Sequence, residues 1–142
     1  MKPFLEENDQ IFVVAALKEE IKEGDLIVFR RDGKDYVHRV VLIEKSRFYE
    51  IGDNQRTGTW ASFDKPLGKV ILVEKKDGTK IDLSEVKEIK FARRMALIQK
   101  IRYRREEMKK KIKFKPFIFV ISKIFSLLEI FLKSHGLFEK RD

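Results

Sequence analysis

Two Asp-Gly pairs punctuate this chain, Asp32-Gly33 and Asp77-Gly78, and each stands between runs of β-forming residues. A short loop of this composition joins antiparallel strands, because its φ > 0 positions match the twist of a hairpin. Residues 26–31 precede the first pair, and 35–44, the longest strand candidate, follows it. Along 35–44 the side chains of Val37, Arg39, Val41 and Ile43 share one face, and those of Tyr36, His38, Val40 and Leu42 share the other. Residues 67–74 and 79–83 flank the second pair in the same way. The continuous apolar run 11–16 and the short segment 47–51 complete the strand candidates. Residues 17–23 are charged and read as one helical turn or a loop. Residues 52–66 read as a loop carrying a lone Trp60. Short strands at this spacing predict a mainly β fold, a coiled sheet or barrel.

The pattern changes at Ser84. Residues 1–83 carry 15 Lys/Arg against 16 Asp/Glu, whereas 84–142 carry 17 against 7, so almost all of the net charge of +9 belongs to the second part. The reading is a β domain over 1–83 and a basic, amphipathic helical tail over 84–142. A length of 142 residues suits one compact body. Such charge asymmetry points to an anionic partner, a membrane surface or nucleic acid. There is no cysteine, and the two histidines form no cluster, so neither a disulfide, a metal nor a cofactor is expected. The first residues are charged and broken by Pro3, which reads as no N-terminal signal or anchor.

Within the tail, Ser84 is the expected N-cap of a helix over about 85–113, a stretch without Gly or Pro. Its loose apolar stripe is Ile89, Ala92, Ala96, Ile98, Ile101 and Met108. Pro116 is expected to break or kink it. A second helix is predicted over 117–132, with Ser122, Ser126, Glu129 and Lys133 on one narrow face and Gly136 as its stop. Lys123 and Glu129 interrupt a run already shorter than the roughly 20 apolar residues of a membrane span. The pattern fits a helix lying in a membrane interface, with residues 87–133 meeting anionic headgroups; packing on the body or on a second subunit is the alternative. Nucleic-acid binding through 87–115 is a further alternative. Against it, Tyr103 is the main aromatic on the basic face, and no helix-turn-helix or zinc pattern appears.

Taken alone, His38 reads as a structural strand histidine, Asp53 as a turn carboxylate in Gly-Asp-Asn, and Asp64 as another before Lys65-Pro66. The order of short blocks alters that reading. Met1-Lys2-Pro3-Phe4-Leu5 with Asp9, Ile11 and Val13 comes first, then Gly24-Asp25-Leu26-Ile27-Val28-Phe29. Val37-His38-Arg39-Val40 follows, then Ile51-Gly52-Asp53-Asn54, and last Leu67-Gly68-Lys69-Val70. In this order they resemble the signal peptidase I superfamily of serine endopeptidases, in its histidine-bearing branch found in archaea, the endoplasmic reticulum and some bacteria. The likeness spans residue 1 to about 73 and leaves the tail unexplained. A related group of self-cleaving repressors uses lysine as its base, so His38 argues against membership there.

The resemblance implies acyl transfer by a Ser-His-Asp arrangement: His38 as the base, Asp53 as the carboxylate that orients it, and Asp64 as the second candidate. It implies a membrane-associated enzyme, peripheral or anchored, that cuts a secreted or precursor peptide with small residues before the scissile bond. The substrate would add as a strand beside 11–16, with Ile11, Val13 and Ala15 as the floor of the groove. The family's nucleophilic serine stands immediately before the methionine that aligns with Met1. Ser46, Ser62 and Ser84 lie in other blocks, and Ser122, Ser126 and Ser134 lie in the tail. The expectation is that the native chain runs upstream through that serine and that the sequence as given is inactive. The alternative is a relative of the same fold that binds peptides without cutting them.

Overall fold

Asp32 and Gly33 both adopt positive φ, 50° and 75°, in the computed structural model, which describes residues 4–63, 67–111 and 115–134. Across this turn β2 (Leu26–Arg31) and β3 (Lys34–Ile43) pair antiparallel, from Leu26 opposite Arg39 to Arg31 opposite Lys34. β4 (Arg47–Ile51) continues beside β3, and β5 (Thr59–Ser62) beside β4. On the other flank β6 (Leu67–Glu74) lies between β2 and β1 (Gln10–Ala16). β7 (Lys80–Asp82) pairs with the far end of β6. All pairings are antiparallel, and the order is β1-β6-β2-β3-β4-β5. Among the described residues β1 and β5 do not pair, so the sheet is open.

β5 was not expected, since residues 52–66 read as a loop. Cross-strand packing makes the strand: Trp60 stands opposite Tyr49 with ring centroids 5.4 Å apart, and Arg47 lies 4.3 Å from the indole centroid. Residues 18–20 form a single 3₁₀ turn within the charged segment.

The alternation along β3 divides the interior in two. On one face Ile21, Ile27, Phe29, Val40 and Phe48 form a cluster. On the other, Phe4, Leu26, Val70 and Val73 form a second, joined by Ile11, Val28, Val37 and Phe91. Each fully buried side chain of this size contributes about 1.5–3 kcal/mol.

The chain divides into two compact units, Met1–Ala96 and Leu97–Asp142. The first therefore extends past the expected boundary at 83/84 and takes in the start of α1 (Val86–Lys111). The ring of Phe91 lies 6.0 Å from that of Phe4, which draws the helix start into the second cluster. The N-cap position is held by Glu85, whose carbonyl accepts the Ile89 N–H at 2.9 Å. Ser84, expected there, donates its hydroxyl to Asp82. The second unit holds the remainder of α1 and α2 (Lys115–Ser134). Pro116 sits in the first turn of α2, where its missing N–H costs nothing. Gly136 lies outside the described residues. No described helix is long and apolar enough to cross a membrane.

The entry to β1 is tied down by one ion pair. Lys75 Nζ lies 2.6 Å from Asp9 Oδ2 and also donates to the Phe4 carbonyl, while the Glu6 N–H donates to the same carboxylate at 2.8 Å. Burial alone would raise the Asp9 carboxyl, but the Lys75 and Glu6 bonds outweigh it and hold the group below its ordinary value. A depressed carboxylate contributes stability that is present above its unfolded value and lost as pH falls through the folded one. Asp9→Asn should therefore cost about 1–3 kcal/mol at neutral pH. In urea titrations the gap between parent and variant should close as pH drops below about 4. A gap that stays constant to pH 2 would contradict the assignment.

Candidate active site

His38 lies on the Phe29 face of β3, its ring centroid 5.9 Å from that of Phe29 and 5.6 Å from that of Tyr36. Its Nδ1 is hydrogen-bonded to Oε2 of Glu50 on β4. Glu50 stands opposite Val40, so it is the diagonal neighbour of His38 on the same face, within reach of a long side chain. Glu50 is 1% exposed, and its second oxygen, Oε1, accepts from Arg31 Nη1 at 2.8 Å. Arg31 in turn lies over the Tyr36 ring, 4.7 Å from its centroid. Burial would lower the Arg31 guanidinium, but the bond and charge of Glu50 outweigh this and push it above its ordinary value.

A carboxylate accepts rather than donates, so this contact favours the tautomer with the proton on Nδ1 and the lone pair on Nε2. Nε2 lies over Gly52: a Cβ on that residue would come within 3.3 Å of it and 3.1 Å of the Gln55 side chain. A histidine with one nitrogen anchored on a buried carboxylate, and the other beside a residue without a side chain, can accept a proton at the second nitrogen.

The carboxylate expected in this role was Asp53. It instead holds Arg39 through both oxygens, at 2.7 Å to Nε and 2.6 Å to Nη2, while Arg39 Nη1 donates to the Gly24 carbonyl at 2.8 Å. The reason is strand alternation: Arg39 follows His38 and points to the opposite face, where Asp53 also lies. Asp64, the second candidate, falls outside the described residues. Sequence reasoning missed Glu50 and Arg31. The available signal was a lone acid between Tyr49 and Ile51 in a short apolar strand.

The proposed groove residues divide as well. Ile11 packs into the Phe4 cluster, on the face away from His38. Val13 and Ala15 alternate with Ile11, are exposed, and belong to that same face. The residue that shares both face and row with His38 is Val14. It stands opposite Lys69, Lys69 opposite Ile27, and Ile27 opposite His38. A cavity of about 240 Å³ also lies on the Arg39 side, bordered by Phe4, Asp25, Arg39, Lys69 and Phe91. Among the described residues no group of three or more His, Asp or Glu is placed to hold a metal ion.

The loop after Gly52 is closed against the strand that carries Glu50. The Gly58 N–H donates to the Tyr49 hydroxyl at 2.8 Å, and a Cβ at Gly58 would stand only 2.0 Å from the Glu50 carbonyl oxygen. Backbone cannot yield to that contact as a flexible side chain can. Gly58→Ala should lower stability by about 1–3 kcal/mol in urea unfolding. Gly78→Ala, with nothing within 4 Å of the added carbon, serves as the comparison for the strain of positive φ alone. Equal losses in the two variants would show that the loop is not closed in this way.

Comparison with family models, curated proteins and solved structures finds no match to this chain.

Proposed function

We propose that residues 1–83 carry the general-base portion of a signal-peptidase-like serine endopeptidase acting on a secreted or precursor peptide. The observation that carries this reading is the anchoring of His38 Nδ1 on buried Glu50, with Nε2 turned to Gly52. In the reaction Nε2 takes the proton of the attacking hydroxyl as the C–O bond to the scissile carbonyl forms. It returns that proton to the departing amine as the C–N bond breaks. Glu50 stabilises the imidazolium between the two steps, and Arg31 holds its second oxygen. By the family motif the hydroxyl belongs to a serine immediately before Met1.

An open strand edge supports the binding of an extended substrate. Among the described strands β1 pairs only with β6, so its outer edge is open to a further strand. Phe12, Val13 and Val14 are each more than two-fifths exposed along it. The same edge supports a second reading, a module of this fold that binds peptides without cutting them.

Cleavage separates the two. A chain with serine placed directly before Met1 should cut peptides bearing small residues ahead of the bond, and it should lose that activity with His38→Ala. Capture of such peptides without cleavage by the serine-bearing chain would favour the binding module. Neither capture nor cleavage would remove both readings.

A further inference from the structure

We infer that the exposed face of α2 is a seat for an anionic lipid surface, which it enters lying flat. Val120, Ile124, Leu127 and Phe131 follow one another at spacings of four, three and four, so they share one side of the helix. They are 54%, 58%, 64% and 53% exposed. Ser122 and Ser126, on the opposite side, are half-buried. Large apolar side chains are thus turned outward along this side of the helix. Leu128 and Ile130 widen the outward face, at 42% and 60% exposed. A contiguous apolar patch of this kind calls for an apolar neighbour.

Charge selects which neighbour. Residues 97–142 carry 13 Lys/Arg against 5 Asp/Glu. Arg104, Lys110 and Lys111 are exposed in the same unit. A purely apolar protein partner makes no use of that excess, whereas an anionic headgroup layer is attracted by it over a Debye length. Exposed Lys123 on α2 suits the same surface, because its long stem lets the ammonium reach the headgroups while its neighbours enter the acyl boundary. A 20-residue helix is about 30 Å long, and lying in the interface it would bury its face by about 5–10 Å. This surface needs nothing of His38, so failure of the cleavage assay leaves it standing.

The test is flotation of the full chain with vesicles of phosphatidylglycerol and phosphatidylcholine, and with phosphatidylcholine alone. Binding should favour the anionic vesicles by about tenfold or more and weaken as salt rises. Leu127→Gln combined with Phe131→Gln replaces only exposed side chains. It should lower vesicle affinity by about tenfold, with an unchanged far-ultraviolet circular dichroism spectrum. Three results would overturn the inference. The first is vesicle binding that the double variant leaves unaltered, which would mean that charge acts alone. The second is no vesicle binding together with a concentration-dependent dimer that the same variant dissociates, which would give the face to a second copy. The third is no vesicle binding together with retardation of duplex or single-stranded nucleic acid at low salt.

Discussion

His38→Ala, in the chain bearing serine before Met1, is expected to lower cleavage by roughly a thousandfold or more, because the hydroxyl is then without its proton acceptor. Stability should fall as well, because the ring is buried among Phe29 and Tyr36 and its loss leaves Glu50 Oε2 without that partner, so the rate is compared per folded molecule. Glu50→Gln is the sharper probe of the arrangement. It keeps the shape and the link to Arg31, but the amide can donate to Nδ1 and so favour the tautomer in which Nε2 carries the proton. Loss of an orienting carboxylate in this way costs up to about 10⁴-fold in serine peptidases generally. Asp53→Asn supplies the contrast: it weakens the Arg39 pair and should spare the chemical step in whatever fraction remains folded. The assignment fails if Asp53→Asn, folded, loses cleavage as fully as Glu50→Gln.

Arg39→Met should produce the largest loss of stability, about 3–5 kcal/mol, read as a lower urea midpoint. Arg39 is 2% exposed, and its guanidinium is satisfied by both Asp53 oxygens and the Gly24 carbonyl. Removing it leaves the Asp53 carboxylate, 8% exposed, without its counter-ion. The cost comes from that orphaned charge rather than from the pair itself, since bringing two ions out of water offsets much of their attraction. Replacing both partners, Arg39→Met with Asp53→Leu, should therefore recover most of the loss. A double variant as unstable as the single one would show that the Gly24 bond, and not the ion pair, holds this corner.

The parts of the fold legible in the sequence were those specified locally. Asp32-Gly33 demands a turn with positive φ, and the runs on either side are rich in β-forming residues, so β2 and β3 follow from neighbouring residues alone. β5 was not legible, because Trp60 becomes a strand residue only through Tyr49 and Arg47 on the adjoining strand. The end of the first unit was hidden for the same reason: the Phe91–Phe4 contact joins residues far apart in the chain. Of the candidate site, His38 was singled out through its block. The carboxylate was assigned to Asp53 from the separate Gly-Asp-Asn block, whereas the register of β4 brings Glu50 to His38. Alternation alone had already placed Arg39 and His38 back to back. It would have sent Asp53 to one of them and left the other in need of a partner.

That back-to-back placement has a bearing on how such a chain changes over generations. On the proposed reading, alternate positions of β3 would answer to different selective pressures, Arg39 to the fold and His38 to the reaction. A lineage released from the need to cut can lose His38 or Glu50 while every contact of Arg39 persists. Enzyme and silent binder are then separated by a single neutral step, and descendants of either kind would keep the same scaffold.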